Sequence, residues 1–253
     1  MRARGHGLVV LGAVTALVMI GWLAPARVSG EDEGVDSPTR TSATLAPALV
    51  EPSTPPLLAV VDKRHALDAA AAPTDLVQLD ARLVVPNFEG LLLRREAASA
   101  LAQLLDAARE AGHDLRVRSA YRSYDTQVDT YAYWVASLGE VEANRVSARP
   151  GHSEHQLGTT VDLTTPQLDW ALSDSLAETS AGRWLLVHAA TYGFALSYPP
   201  RSEALTGYAS EPWHYRYIGR SEARLWAKSG LTLGAYLQRL EPLQRLGQGS
   251  STQ

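Results

Sequence analysis

Regular spacing of apolar positions begins near Leu57 and organises the chain to about residue 240. Over residues 94–111, Ala97, Leu101, Leu104, Leu105 and Ala108 recur at helical spacing between Arg, Glu, Gln and Asp, and Gly112 follows as a helix stop. That pattern predicts an amphipathic helix of about five turns. In "DLRVRSAYRS" (114–123), Leu115, Val117 and Ala120 stand among polar neighbours, as in a half-buried strand. A second helix is expected over 125–138, ended by Gly139. "TTVDLTT" (159–165) is rich in β-branched residues and reads as a strand. Residues 182–192 read as a third helix closed by Gly193, "FALSYP" (194–199) as a strand, and 221–240 as a helical tail. Helices alternate irregularly with short strands, without the βαβ rhythm of a doubly wound sheet. The expected class is therefore α+β, a small, mainly antiparallel central sheet flanked by helices.

The first 28 residues have another character. Arg2 and Arg4 precede an uncharged run over 8–24, "LVVLGAVTALVMIGWLA", followed by small residues and Pro25. A charged start, an apolar middle and a small-residue end describe a signal peptide, and the run also reaches the lower limit for a membrane anchor. In either case the remainder is expected outside the membrane, in the cell envelope or secreted, touching the bilayer only through this segment. Residues 29–56, acidic and then rich in Ser, Thr, Pro and Ala, read as a disordered linker. One domain is expected over 57–243, and a polar tail over 244–253. The 253 residues carry a formal net charge of −4, with 23 Lys and Arg scattered along the chain. That gives no concentrated basic face for a nucleic acid. No cysteine is present, so neither disulfides nor a lipid attached to cysteine are available. A monomer is expected.

Candidate chemistry gathers in "SARPGHSEHQLGTTVDL" (147–163) and, fifty residues later, in "EPWH" (211–214). Two imidazoles and a carboxylate, His155, Asp162 and His214, suit Zn²⁺, which in catalytic sites takes three protein ligands and leaves a fourth position to water. His155 and Asp162 are seven apart, so an unbroken strand points them to opposite faces. The chain must turn between them, and Gly158 tolerates the angles that such a turn requires. Glu211 and His214 are three apart, the offset of one tight bend, which brings a carboxylate beside the metal in position to act as a base. His152, three residues before His155, stays open as a ligand or as a hydrogen-bond partner of one. His6, His65, His113 and His188 lie in contexts that suggest no such role.

Four ordered segments carry a family likeness: "SAYRSYDTQ" (119–127), "PGHSEHQLGTTVDL" (150–163), "GFALSYP" (193–199) and "EPWHYRYIG" (211–219). Together they closely resemble the VanY-type zinc D-alanyl-D-alanine carboxypeptidases of bacterial cell walls. The family pattern S-x-H-x-x-G-x-A-x-D falls on Ser153, His155, Gly158, Thr160 and Asp162. The resemblance implies His155, Asp162 and His214 as ligands of one Zn²⁺, Glu211 as general base, and a lesser role for His152. Thr160 departs from the family's alanine, adding a hydroxyl and a branch that a strand is expected to tolerate. The element S-x-Y-R-S-x-x-x-Q falls on Ser119, Tyr121, Arg122, Ser123 and Gln127, which implies Arg122 as the substrate anchor. A guanidinium suits that task because its planar N–H donors pair with a terminal carboxylate or with the charge that develops on the scissile carbonyl. Ser153 and Gln127 are expected to hydrogen-bond the substrate. Tyr121, Trp213 and Tyr215 are expected either to wall the pocket or to fill the core.

What the resemblance implies is hydrolysis of the terminal D-alanyl-D-alanine bond of peptidoglycan stem peptides. L,D-carboxypeptidase or endopeptidase activity on the same scaffold is the nearest alternative, and a non-catalytic, zinc-stabilised wall-binding module is one of another class. A serine route lacks both G-x-S-x-G and S-x-x-K.

Overall fold

The computed structural model describes residues 54–248. The export segment, the linker up to residue 53 and the last five residues lie outside the described residues. The end of the expected linker is docked on the domain: Pro55 is buried and its carbonyl accepts a bond from Arg94 Nη1 at 3.0 Å.

The long amphipathic pattern forms α1 (Arg95–Glu110), which buries Ala97, Ala100, Leu101, Leu104, Leu105 and Ala108. Gly112 follows at φ +84°, a conformation that costs a residue with a Cβ about 1–2 kcal/mol. Before this helix runs a hairpin, β1 (Leu76–Gln78) against β2 (Leu92–Arg94), which the hydrophobic pattern did not announce. After it come β3 (Arg116–Ser119), α2 (Tyr124–Leu138) and a short α3 (Glu140–Val146). Ser123 caps α2 by accepting the Thr126 amide at 3.1 Å. The remaining elements are β4 (Thr160–Thr164), α4 (Ser180–His188), β5 (Phe194–Leu196), α5 (Glu203–Thr206), β6 (His214–Tyr217), α6 (Arg220–Ser229) and α7 (Leu233–Gln248). The expected single C-terminal helix is thus two, broken at Gly230 with φ +70°, and α7 runs on to Gln248, past the point where the polar tail was expected to begin.

β3, β4, β6 and β5 form, in that order, one antiparallel sheet. The fold is therefore α+β, as expected. Side-chain alternation gives this sheet two unlike faces. One is apolar: Val117, Val161, Leu163, Phe194, Leu196, Tyr215 and Tyr217 pack with α1 and α4 in the main core. Each such buried aliphatic or aromatic side chain contributes about 1.5–3 kcal/mol. The other face carries Thr160, Asp162, Thr164, His214 and Arg216, polar yet buried. A second, smaller core joins Ala195 and Ile218 to Ala223 of α6 and to Leu233, Tyr236 and Leu237 of α7. Among the described residues no helix is long and apolar enough to cross a membrane.

Candidate metal centre and active site

The polar face is organised by strand register. Asp162 on β4 pairs with Ser119 on β3 and with His214 on β6, so the three stand in one row across the sheet. Residues directly opposite in antiparallel strands point to the same face. His155 reaches this row from a tight turn over residues 154–157, and the chain then reverses through Gly158 at φ +67° into β4. This is the turn that the seven-residue offset demanded. A Cβ at Gly158 meets Leu76 Cδ2 at 2.9 Å, Pro73 Cγ at 3.0 Å and Arg94 Cγ at 3.1 Å, so space as well as conformation requires glycine there.

His155, Asp162 and His214 each offer one ligand atom, and these atoms lie within 4.8 Å of one another. All three residues are 4% exposed. His155 Nε2 is 3.3 Å from Asp162 Oδ2, and His214 Nδ1 is 3.3 Å from Asp162 Oδ1. Ligands about 2.0–2.1 Å from a tetrahedral Zn²⁺ are separated by about 3.3–3.4 Å. Asp162 Oδ1 is buried without a hydrogen-bond partner, an unmet acceptor of the kind that a cation fills. The two imidazoles, the carboxylate and its unmet oxygen make a donor set that suits a cation such as zinc.

The far side of each imidazole is occupied. His155 Nδ1 stands 2.6 Å from the Ala120 carbonyl oxygen, which makes it the protonated nitrogen and leaves Nε2 free for the metal. His214 is reversed: Nε2 faces Glu154 Oε2 at 3.0 Å, while Nδ1 faces Asp162 and lies 3.1 Å from Glu211 Oε2. Burial pushes the His155 pKa down, toward the neutral form that ligation needs. At His214 burial acts the same way, but Asp162, Glu154 and Glu211 outweigh it and raise the pKa well above the ordinary value. Burial opposes ionisation of Asp162, yet the two imidazoles hold its carboxyl well below the usual range. Glu154 is likewise held down, to about 2: burial raises it, and Arg216, His214 and Ser197 more than compensate.

Glu211 opens the bend whose closing bond runs from the His214 amide to the Glu211 carbonyl at 3.0 Å, and its side chain is 16% exposed at the edge of the cluster. Arg122 enters from the loop after β3. Its guanidinium donates to Gln127 Oε1 at 2.9 Å and to Ser119 Oγ at 3.1 Å, and burial lowers its pKa against the opposing charges of Asp162 and Glu211. Gln127, expected to touch substrate, is 0% exposed, and its Nε2 is engaged by the Ala148 carbonyl at 2.7 Å. Its amide therefore meets Arg122 rather than open space. Ser153 is buried beside His155, Tyr121 is half-buried, and Trp213 is half-buried against the main core. Tyr215 lies within that core. His152 turns away from the cluster, its Nδ1 2.7 Å from the Asp62 carbonyl oxygen. Thr160 fits its strand, and its hydroxyl donates to the Glu154 carbonyl at 3.1 Å.

Sequence reasoning missed Glu154, Ser197, Tyr198 and Arg216. Ser197 Oγ donates to Glu154 Oε2 at 2.6 Å, Arg216 Nη1 donates to Glu154 Oε1 at 2.9 Å, and the Tyr198 ring lies 4.8 Å from that of His214. The polar positions alternating with Tyr215 and Tyr217 in "HYRY" were the available signal for Arg216. Two surface hollows flank Arg220 and Ser221 and share no lining residue with this cluster.

A family model described as VanY, D-alanyl-D-alanine carboxypeptidase, matches residues 90–220. The chain belongs to this VanY family. The putative carboxypeptidase YodJ of Bacillus subtilis is 36% identical over 191 residues, 74% of this chain and 69% of that protein. Among solved VanY-like structures, the LdcB LD-carboxypeptidase is 38% identical, with a TM-score of 0.67 over 72% of this chain and 86% of the other. A variant of the vancomycin-resistance D,D-pentapeptidase VanY in complex with Zn(II) is 31% identical, with a TM-score of 0.57 over 72% of this chain and 98% of the other. The matched residues 90–220 include His155, Asp162, Glu211, His214 and Arg122.

Proposed function

We propose that the chain is a zinc-dependent peptidoglycan carboxypeptidase that removes the terminal D-alanine from stem peptides ending in D-alanyl-D-alanine, acting outside the membrane as a monomer with one Zn²⁺. The observation that carries this reading is the His155–Asp162–His214 cluster with Glu211 at its open edge and Arg122 beside it. A purely structural zinc site has four protein ligands and no use for a nearby base, whereas three ligands leave room for substrate. When bound there, zinc polarises the scissile carbonyl and lowers the pKa of an attacking water toward about 7. Arg122 receives the free terminal carboxylate with the N–H donors that Gln127 and Ser119 leave unused. Ser153 adds a hydroxyl donor, and Tyr121 and Trp213 wall the substrate. Glu211 Oε2 accepts the proton of the attacking water and returns it to the nitrogen of the leaving D-alanine.

Metal analysis of the purified protein, with D-alanine release measured with and without a chelator, tests the reading. Glu211→Gln is expected to retain zinc and to lose about 10²–10⁴-fold in kcat, the usual contribution of general acid–base catalysis. A protein that takes up no zinc, or a Glu211→Gln variant with undiminished turnover, overturns it. The likeness to the LdcB LD-carboxypeptidase favours a second reading, trimming of tetrapeptides at an L,D bond. Mass spectrometry of muropeptide digests distinguishes the two by which stem length is shortened.

A further inference from the structure

We propose that Glu154 is a positioning residue for the metal centre: its carboxylate fixes the ring of His214 so that Nδ1, and not Nε2, presents its lone pair to the cation. The inference rests on the zinc reading above and assigns a role to a residue outside the ligand set and the substrate anchor.

Glu154 is enclosed on every side that its oxygens face. Oε2 receives His214 Nε2 at 3.0 Å and Ser197 Oγ at 2.6 Å, and Oε1 receives Arg216 Nη1 at 2.9 Å. Arg216 is itself 0% exposed, and its Nη2 donates to the carbonyls of Leu57 at 3.0 Å and Ala59 at 2.6 Å. A line of bonds thus runs from the first residues of the domain through a buried cation and a buried anion to the imidazole. Burying such a pair for stability alone gains little, since apolar residues of the same volume commonly serve as well or better. A hydrogen-bonded carboxylate behind a ligating imidazole, by contrast, fixes the tautomer, holds the ring plane and raises the basicity of the ligating nitrogen. The backing differs between the two histidines: the carbonyl of Ala120 stands behind His155, and a carboxylate paired with Arg216 stands behind His214. Glutamine replaces one acceptor oxygen by an NH₂, so it either turns a donor on Arg216, which can only donate, or favours the other His214 tautomer, with Nε2 accepting and Nδ1 protonated.

The test is competition titration of Zn²⁺ against a chromophoric chelator, using metal-free wild type and Glu154→Gln. Wild type is expected to bind zinc and the variant to bind it about 10–100-fold more weakly, with an unchanged far-UV spectrum. Equal affinity, within threefold, overturns the role of Glu154 while leaving the carboxypeptidase reading intact; wild type that binds no zinc removes both. Should the variant fail to fold, ¹⁵N-histidine NMR of the zinc-loaded wild type decides. Protonated Nε2 at His214 together with protonated Nδ1 at His155 supports the proposal, and protonated Nδ1 at His214 overturns it.

Discussion

On the proposed reading, replacing Arg122 by lysine separates what the guanidinium does for substrate from what it does for the fold. Two of its five N–H donors are committed within the protein, one to Gln127 Oε1 and one to Ser119 Oγ. In that reading, the donors that remain take the terminal carboxylate of the substrate. Lysine at this position keeps the charge but offers a point donor, so the substrate loses one of two charge-assisted bonds, about 1.5–3 kcal/mol. At 1.4 kcal/mol per factor of ten, kcat/KM is expected to fall about 10- to 150-fold. A separate cost falls on stability. Gln127 Oε1, wholly buried, is left without its donor, which costs about 1–3 kcal/mol in free and substrate-bound enzyme alike and so does not enter the kinetic ratio. Steady-state D-alanine release and urea melts of wild type, Arg122→Lys, Gln127→Ala and the double variant measure the two effects. The Gln127 and Arg122 changes are expected to couple by about 0.5–3 kcal/mol, since each removes the same bond. An Arg122→Lys enzyme within threefold of wild type, or strict additivity in the cycle, refutes the reasoning.

Gly158→Ala forces a side chain into a left-handed turn and into contacts as short as 2.9 Å with Leu76. The unfolding free energy is expected to drop by about 2 kcal/mol or more, with weaker zinc binding because the turn spaces His155 from Asp162; an unchanged urea midpoint contradicts this. Burial pushes the Lys63 ammonium down to about 8 from 10.5, Arg149 adds to the shift and Glu211 opposes it. The native chain therefore gives up this proton at a lower pH than the unfolded chain. Unfolding takes up a proton between those values, and stability contributed at this site rises with pH through the window. The melting temperature of wild type relative to Lys63→Met is expected to climb from pH 8 to 10, and a flat difference rules the shift out.

Legibility of the fold followed the length of each hydrophobic pattern. α1 was readable because six buried positions repeat over sixteen residues and Gly112 stops them. β1 and β2 were not, because three residues each are too few to establish a period of two. α7 was fused with α6 in the reading because the helical spacing resumes after Gly230 with little change in composition. At the site, motif spacing brought out His155, Asp162, Glu211 and His214, and the structure draws all four together. It could not show which partners stand behind them. Glu154 and Arg216 are 62 positions apart and meet only because a turn packs over β6. Gln127 looked like a substrate ligand from its place in the motif, whereas the folding of α2 aims its amide at Arg122, five residues earlier.

Because Ser119, Asp162 and His214 are direct neighbours across three strands, with the Ser197 amide bonded to the His214 carbonyl at 3.2 Å beyond them, the spacing of these three residues is inherited from the backbone ladder. Adjacent strands hold about 4.7–4.9 Å apart in almost any sheet. Two of the three candidate ligand positions, Asp162 and His214, are thus set by strand pairing, whereas His155 depends on the turn that leads into β4. A change in a turn elsewhere that leaves this pairing intact therefore leaves Asp162 and His214 opposite one another.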